Sequence, residues 1–246
     1  MMMNKRTAAV IPARYGSTRF PGKVLAMLAG KPMIQWVYEK AAASIADEVI
    51  VAADDPLVMS AVSKFGGKAV MTAPNHPSGT DRICEAVQQL DCGLVINVQG
   101  DEPLIPTSVI NELITMMQSN PEFEMGTVAV PRPRSEIAAD PNRVKVVFDN
   151  SMRAIYFSRC AIPYLREGGN EAQTYLHWGI YAYRRDILER FVKLPEGILE
   201  QCEKLEQLRA LENGIKIQIL LSNLESIGVD TPEDLERAAK KIHALK

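Results

Sequence analysis

Three cations, Arg14, Arg19 and Lys23, are spaced among Gly16, Ser17, Thr18 and Gly22 in the stretch Val10-Ile-Pro-Ala-Arg-Tyr-Gly-Ser-Thr-Arg-Phe-Pro-Gly-Lys23. Glycines let a backbone approach a ligand closely and take positive φ, and small hydroxyl residues leave amide N–H groups open. Arg grips two oxygens at once and Lys adds a compact charge, so cations fixed around such a loop suit a polyphosphate. Any one of these cations alone would ordinarily be a solvated surface residue. Three in one Gly/Ser/Thr loop, directly after an apolar run, favour phosphate binding. The loop is not a G-x-x-x-x-G-K-S/T loop, because Gly16 stands six positions before Gly22 and Val24 follows Lys23. Nor does the chain carry a G-x-G-x-x-G fingerprint.

Carboxylates come next. In Leu94-Val-Ile-Asn-Val-Gln-Gly-Asp-Glu-Pro103 an apolar run leads straight into Asp101, with Gly100 allowing the backbone to bend. A hard cation such as Mg²⁺ takes one or two carboxylates plus substrate phosphates, and ligation is favoured here over a plain strand-end turn. Val229-Asp-Thr-Pro-Glu-Asp-Leu235 reads by itself as an ordinary helix start, with Pro in the first turn and acids at the positive end. In His76-Pro-Ser-Gly-Thr-Asp-Arg82, Ser78 or Thr80 caps a helix; the same open N–H groups and hydroxyls also suit a base edge or a phosphate. Period two puts His177, Gly179 and Tyr181 on one face of a strand. Leu205–Leu211 reads as an amphipathic helix with Glu206 and Gln207 on its solvated side.

The elements that must position these residues alternate. Ala8–Ile11 reads as a buried strand stopped by Pro12, and Met33–Ala43 as a helix introduced by Lys31-Pro32. Strand Glu48–Ala53, helix Pro56–Phe65, strand Lys68–Met71, helix Thr80–Leu90, strand Leu94–Gln99 and helix Pro106–Gln118 follow. Such alternation predicts an α/β fold, doubly wound on a largely parallel sheet, with ligands beyond the C-terminal strand ends. From Gly126 to Tyr183 the texture changes to strands joined by loops: Gly126–Val130, Val144–Phe148, Ala154–Ser158 and Trp178–Tyr183. These predict an antiparallel insertion, a smaller lobe over residues 126–183 that covers the ligand site and carries a subunit interface. Helices Arg185–Phe191 and Glu200–Glu212, strand Lys216–Leu221 and helix Thr231–Ala244 complete the chain, and Glu167–Glu171 reads as its mobile loop.

Along nearly its whole length the sequence resembles the sugar-activating cytidylyltransferases, and among them the 3-deoxy-manno-octulosonate (Kdo) cytidylyltransferase, or CMP-Kdo synthetase, family. The opening motif carries the resemblance first. His76–Arg82 is similar to the family's H-x-S-G-T-D/E-R, and Asn97–Pro103 to N-V/L-Q-G-D-E-P. Phe157–Pro163 is similar to F-S-R-x-x-I-P, His177–Tyr181 to H-x-G-x-Y, Leu205–Arg209 to L-E-Q-L-R, and Val229–Leu235 to V-D-T-P-E-D-L. The resemblance implies a single nucleotidyltransferase domain over residues 1–246 that joins CTP and Kdo, releasing pyrophosphate, for bacterial lipopolysaccharide synthesis. It implies a nucleotide site of Ala13, Arg14, Ser17, Arg19, Lys23, Ser78, Gly79, Thr80 and Gln99. Arg82, Gln99, Arg159, His177, Tyr181, Glu206 and Gln207 would line the sugar pocket, with Arg159 on the substrate carboxylate. Asp101 and Asp230 would share Mg²⁺, and Arg14, Lys23, Asp101 and Asp230 would carry catalysis. A homodimer is also implied. Departures are modest: Pro77, Arg143 and Ile198 occupy positions where other residue types are expected.

Composition agrees with a soluble globular protein. The chain has 246 residues, 47% of them hydrophobic and 24% charged, enough to bury a substantial core. A net charge of −2 gives no broad basic field, so neither nucleic acid nor a membrane is an expected partner and any phosphate site must be local. No run approaches the roughly twenty apolar residues of a membrane span, and no apolar segment follows the basic start. Cys84, Cys92, Cys160 and Cys202 lack C-x-x-C spacing, so reduced thiols in a cytoplasmic protein are expected, without a metal cluster.

Overall fold

The computed structural model describes residues 6–16, 20–167, 173–224 and 226–244. The chain divides into two compact units, Met1–Ile114 with Glu225–Lys246, and Thr115–Leu224.

In the first unit, β1 (Thr7–Ala13) is buried along its length because its residues are apolar on both faces. A 3₁₀ turn at Lys23–Leu25 and a two-residue hairpin, β2 (Met27–Leu28) and β3 (Lys31–Pro32), lead into α1 (Met33–Ala42). β4 (Glu48–Ala53), α2 (Pro56–Lys64), β5 (Ala69–Met71), α3 (Gly79–Val87), β6 (Leu94–Asn97) and the first eight residues of α4 (Thr107–Ser119) follow. α2 starts where it does because the Asp55 carboxylate accepts the Leu57 N–H at 2.7 Å and Pro56 needs no donor. The strands pair in parallel in the order β6-β1-β4-β5. Winding therefore runs one way from β1 to β4 and β5, then reverses to β6, which is the expected doubly wound α/β arrangement. The crevice of such a sheet lies at the C-terminal ends of the two strands where winding reverses, here β1 and β6.

Pro12 does not stop β1. The last β6 partner of β1 is Asn97, opposite Val10. Beyond that pair β1 has a neighbour only on the β4 side, where Pro12 aligns with Ala52, so an edge position accommodates the missing N–H.

The second unit holds β7 (Met125–Arg132), α5 (Arg134–Ile137), β8 (Lys145–Phe148), β9 (Ala154–Ser158) and β10 (Thr174–Arg184). It ends with α6 (Arg185–Phe191), α7 (Ile198–Glu203), α8 (Gln207–Glu212) and β11 (Ile217–Leu221). β7, β8, β9 and β10 pair antiparallel, as expected, and β11 joins β7 in parallel. The single helix expected over Glu200–Glu212 is two helices. Lys204 takes a left-handed φ of 51° between them, and Arg159 donates to the Glu203 and Lys204 carbonyls that a continuous helix would have used. Of the expected mobile loop, residues 168–171 lie outside the described residues.

The last segment returns to the first unit as α9 (Pro232–Ala244). Ala238 and Ile242 on its buried face pack with Leu28, Met33 and Val229, which ties the Asp230 region to the hairpin and α1.

Candidate active site

A cleft of about 330 Å³ opens at the reversal point of the first unit, lined by Pro12, Arg14, Gly16, Lys23, Val24, Gly79, Gln99, Gly100, Asp101 and Asp230. Six of the residues singled out in the sequence, Arg14, Lys23, Gly79, Gln99, Asp101 and Asp230, thus share one cleft. Gly100 is required there: a Cβ on it would come within 2.8 Å of the Pro12 carbonyl oxygen. Ala13 is fully buried in the last position of β1 and fixes where Arg14 leaves the sheet. Ser17 and Arg19 lie outside the described residues.

Lys23 is the centre of the cleft. Gly22, with φ of 68°, lets the chain turn into the 3₁₀ helix that carries it. Its ammonium donates to Asp101 Oδ2 at 2.7 Å and to Asp230 Oδ1 at 3.1 Å. Burial opposes its charge most strongly, but Asp101 and then Asp230 outweigh that and hold the Lys23 pKa above its ordinary value. Two carboxylates therefore reach a single cation. The donor set is oxygen only, and among the described residues no group of three or more His, Cys, Asp or Glu side chains converges. Two carboxylates with room for phosphate and water fit Mg²⁺, which rarely takes an all-protein cage.

The segment before α3 is more structural than its motif suggests. Ser78 is the N-cap: its hydroxyl accepts from the Thr80 and Asp81 N–H groups, both at 3.1 Å, and donates to the Asp81 carboxylate at 2.6 Å. Thr80 is buried, and Gly79 faces the cleft. His76 makes a close contact with Glu85, which also accepts the Ala73 N–H.

Arg82, expected at the sugar pocket, has a wholly buried side chain that donates to Thr72 Oγ1 at 2.6 Å, the Ala73 carbonyl at 3.2 Å and Asp54 Oδ2 at 3.2 Å. Sequence reasoning missed Asp54. Its place just past the C-terminal end of β4, the position that singled out Asp101, was the signal.

The remaining candidates stand in the second unit. β10 and β7 lose register between Trp178 and Tyr181, so a bulge at Gly179 and Ile180 interrupts the regular alternation. His177 and Tyr181 still share a side, their rings 5.5 Å apart, and Phe157 packs edge-on against His177 at 4.9 Å. The Thr127 hydroxyl donates to the Ile180 carbonyl at 2.7 Å, which leaves its lone pair to accept His177 Nε2–H at 3.0 Å; the tautomer is assigned from this network. Burial lowers the His177 pKa to about 3, so the ring is neutral. Burial also raises Tyr181, followed by the nearby Tyr183 and Glu206.

Gln207 is buried at the start of α8, not solvated as its helical position suggested. Two residues on, Arg209 forms a buried two-pronged pair with Glu200, at 2.6 and 2.7 Å, that fixes α8 against α7. The Arg159 guanidinium is taken up by the Glu203, Pro141 and Lys204 carbonyls at 2.6, 2.9 and 3.3 Å. Glu203 answers by accepting the Arg159 N–H at 2.9 Å and the Ser158 hydroxyl at 2.6 Å. Lys145, buried and missed in the sequence, holds the Arg159 carbonyl at 2.5 Å.

Comparison with known proteins places this geometry. A family model described as cytidylyltransferase matches residues 8–217. The chain is 52% identical to a 3-deoxy-manno-octulosonate cytidylyltransferase from Thermodesulfovibrio yellowstonii, over 95% of this chain and 97% of that one. It is also 52% identical to an 8-amino-3,8-dideoxy-manno-octulosonate cytidylyltransferase from Shewanella halifaxensis, over 92% and 94%. A solved CMP:2-keto-3-deoxy-manno-octonic acid synthetase complexed with CTP superposes with a TM-score of 0.94 at 44% identity, covering 98% of this chain and all of that one. The chain belongs to the cytidylyltransferase family.

Proposed function

We propose that this protein transfers the cytidylyl group of CTP to the anomeric hydroxyl of Kdo, giving CMP-Kdo and pyrophosphate. The observation that carries the reading is the meeting of Lys23, Asp101, Asp230 and Arg14 in one cleft at the reversal point of the sheet. The anomeric oxygen attacks the α-phosphorus opposite the oxygen that bridges to the β-phosphate. An O–P bond forms as the bridging P–O bond breaks, the electron pair leaves on pyrophosphate, and the hydroxyl proton passes to water. Positioning and charge stabilisation dominate such a transfer.

Arg14, Arg19 and Lys23 hold the leaving pyrophosphate, and Asp101 and Asp230 would hold Mg²⁺. Bound there, the ion supplies charge neutralisation at the phosphate oxygens. Ala13, Ser17, Ser78, Gly79, Thr80 and Gln99 border the nucleotide. Arg159, His177, Tyr181, Glu206 and Gln207 receive the sugar.

The 8-amino sugar is the second reading, because relatives of equal identity are named for it. Pyrophosphate release with CTP should be measured against Kdo, 8-amino-3,8-dideoxy-manno-octulosonate and sialic acid. Kdo is expected to give the highest kcat/KM; a higher value for the amino sugar overturns the acceptor, and no release with any sugar overturns the reaction.

The protein acts as a homodimer joined through the antiparallel insertion over residues 126–183, where Ile155 and Tyr164 are 60% and 85% exposed. Light scattering at micromolar concentration is expected to give twice the chain mass, and a monomer overturns this. The product feeds lipopolysaccharide synthesis from the cytoplasmic side. Among the described residues no helix is long and apolar enough to cross a membrane.

A further inference from the structure

The phosphate loop is held by a side chain outside the cleft. Tyr15, between Arg14 and Gly16, donates its N–H to Asp54 Oδ1 at 2.9 Å, and its carbonyl accepts the Gly22 N–H at 3.0 Å. The two peptide groups that flank Tyr15 are thus both anchored, one to the end of β4 and one to the turn that presents Lys23. The other Asp54 oxygen, Oδ2, is 3.2 Å from Arg82 Nη2.

Arg82 is a costly way to hold a carboxylate. Its side chain is 0% exposed, and that of Asp54 is 13% exposed. Its Nε is buried with no partner among the described residues. A pair of this kind is weak evidence for stability, since apolar residues of the same volume commonly do as well. It does fix geometry. Thr72, which Arg82 also grips, is itself bonded to the Ala53 carbonyl by its N–H at 2.8 Å and its hydroxyl at 2.9 Å. Arg82 therefore joins α3 to the ends of β5 and β4, and through Asp54 to the loop after β1. Burial lowers the Arg82 pKa, and the Asp54 carboxylate opposes that, as expected of a buried guanidinium held by a carboxylate.

We propose that Asp54, seated by Arg82, is a positioning residue for the triphosphate: it fixes the Tyr15 N–H and thereby sets where the adjoining Arg14 stands. The inference rests on the cleft being the triphosphate site. It assigns Asp54 an effect on the β- and γ-phosphates and none on the base, with Arg82 acting only through the Asp54 oxygen that it holds.

The test compares CTP and CMP affinity by calorimetry in wild type, Asp54→Asn and the double variant Arg82→Met/Asp54→Asn, with melting temperature beside each. Asparagine offers one carbonyl oxygen to two donors, and the buried guanidinium captures it. Asp54→Asn is therefore expected to weaken CTP about tenfold and CMP less than about twofold. In the double variant that oxygen is free for Tyr15 N–H and no buried charge is left unpaired, so CTP affinity should return to within about threefold of wild type. Unchanged CTP affinity in folded Asp54→Asn, equal losses for both nucleotides, or no recovery in the double variant overturns the inference. If Asp54→Asn does not fold, the double variant decides: CTP within threefold supports it, and a larger loss overturns it. A wild-type protein that binds CTP no tighter than CMP overturns the phosphate-loop reading itself and is told apart from these results.

Discussion

The two units handle polarity in opposite ways. In the first, Lys23, Asp101 and Asp230 are formally charged, with side chains 12%, 33% and 59% exposed, around a cleft at the ends of β1 and β6. In the second, the candidate residues are neutral or already partnered: His177 on Thr127, Arg159 on three carbonyls, and Gln207 buried beside an Arg209–Glu200 pair. The difference follows the chemistry proposed for each. Negative charge grows on phosphate oxygens during transfer, and ions that can exchange partners respond to it. The sugar's hydroxyls change little in charge, so neutral groups such as His177, Tyr181 and Gln207 suit them, and the charge proposed to meet the sugar's carboxylate, Arg159, is held in place by carbonyls.

The strongest way to break that contrast is at the carboxylates. Asp101→Asn and Asp230→Asn are each expected to lower kcat by about a thousandfold with the far-ultraviolet spectrum unchanged. Full turnover in Asp101→Asn would remove the charged half of the comparison. Lys23→Ala is expected to weaken CTP by about thirtyfold and CMP by less than about threefold, since only CTP carries β- and γ-phosphates. Equal losses for the two nucleotides would show that Lys23 does not hold pyrophosphate and serves only to pair Asp101 with Asp230.

The sequence disclosed the two units unequally. Glu48–Ala53, Ala154–Ser158 and Arg185–Phe191 have the bounds read from pattern, and the first of them ends at the breaker Asp54-Asp55-Pro56. Asp101 was legible by the same logic, as the first carboxylate past a buried strand. Asp230 was not: Val229–Leu235 is also an ordinary helix start, and the lysine that joins it to Asp101 lies 207 residues away in the chain. Only the resemblance nominated it. Burial of a polar side chain was the main blind spot. Nothing local marks Arg82, Lys145 or Gln207 as buried, since the partners that make burial tolerable arrive through tertiary packing. The Lys204 break was hidden for the same reason, as Arg159 belongs to a distant strand end.

The acceptor side offers a smaller effect and a sharper question. Arg159→Ala frees three carbonyls and is expected to lower stability by about 1–3 kcal/mol. If Arg159 also meets the substrate carboxylate, the KM for Kdo should rise by about tenfold with CTP affinity unchanged. A drop in melting temperature with an unaltered KM would leave Arg159 as a clamp on α7 and move the carboxylate partner elsewhere. Gln207→Ala, by contrast, is expected to raise that KM about fivefold, as the loss of one neutral hydrogen bond would, and to leave CTP affinity as it was.

The smallest expected effect is the most direct probe of neutrality in the second unit. His177 is contacted by Phe157 from β9, Thr127 from β7 and Tyr181 from its own strand, and Glu206 acts on that Tyr181. Burial lowers its pKa to about 3, against about 6.5 in an unfolded chain. Between those values the unfolded state binds a proton that the folded state refuses, so stability rises with pH across the window. His177 therefore costs nothing above about pH 6.5, and its neutral form becomes a growing liability as pH falls towards 3. Urea unfolding of wild type and His177→Gln from pH 4 to pH 8 should give a stability difference that is flat above pH 6.5 and shifts against wild type below it. Over the flat range the KM for Kdo should show no titration from this ring. A difference that moves in favour of wild type on acidification would mean that the folded protein binds the proton, which would put a charged His177 in the acceptor unit and erase the contrast with Lys23.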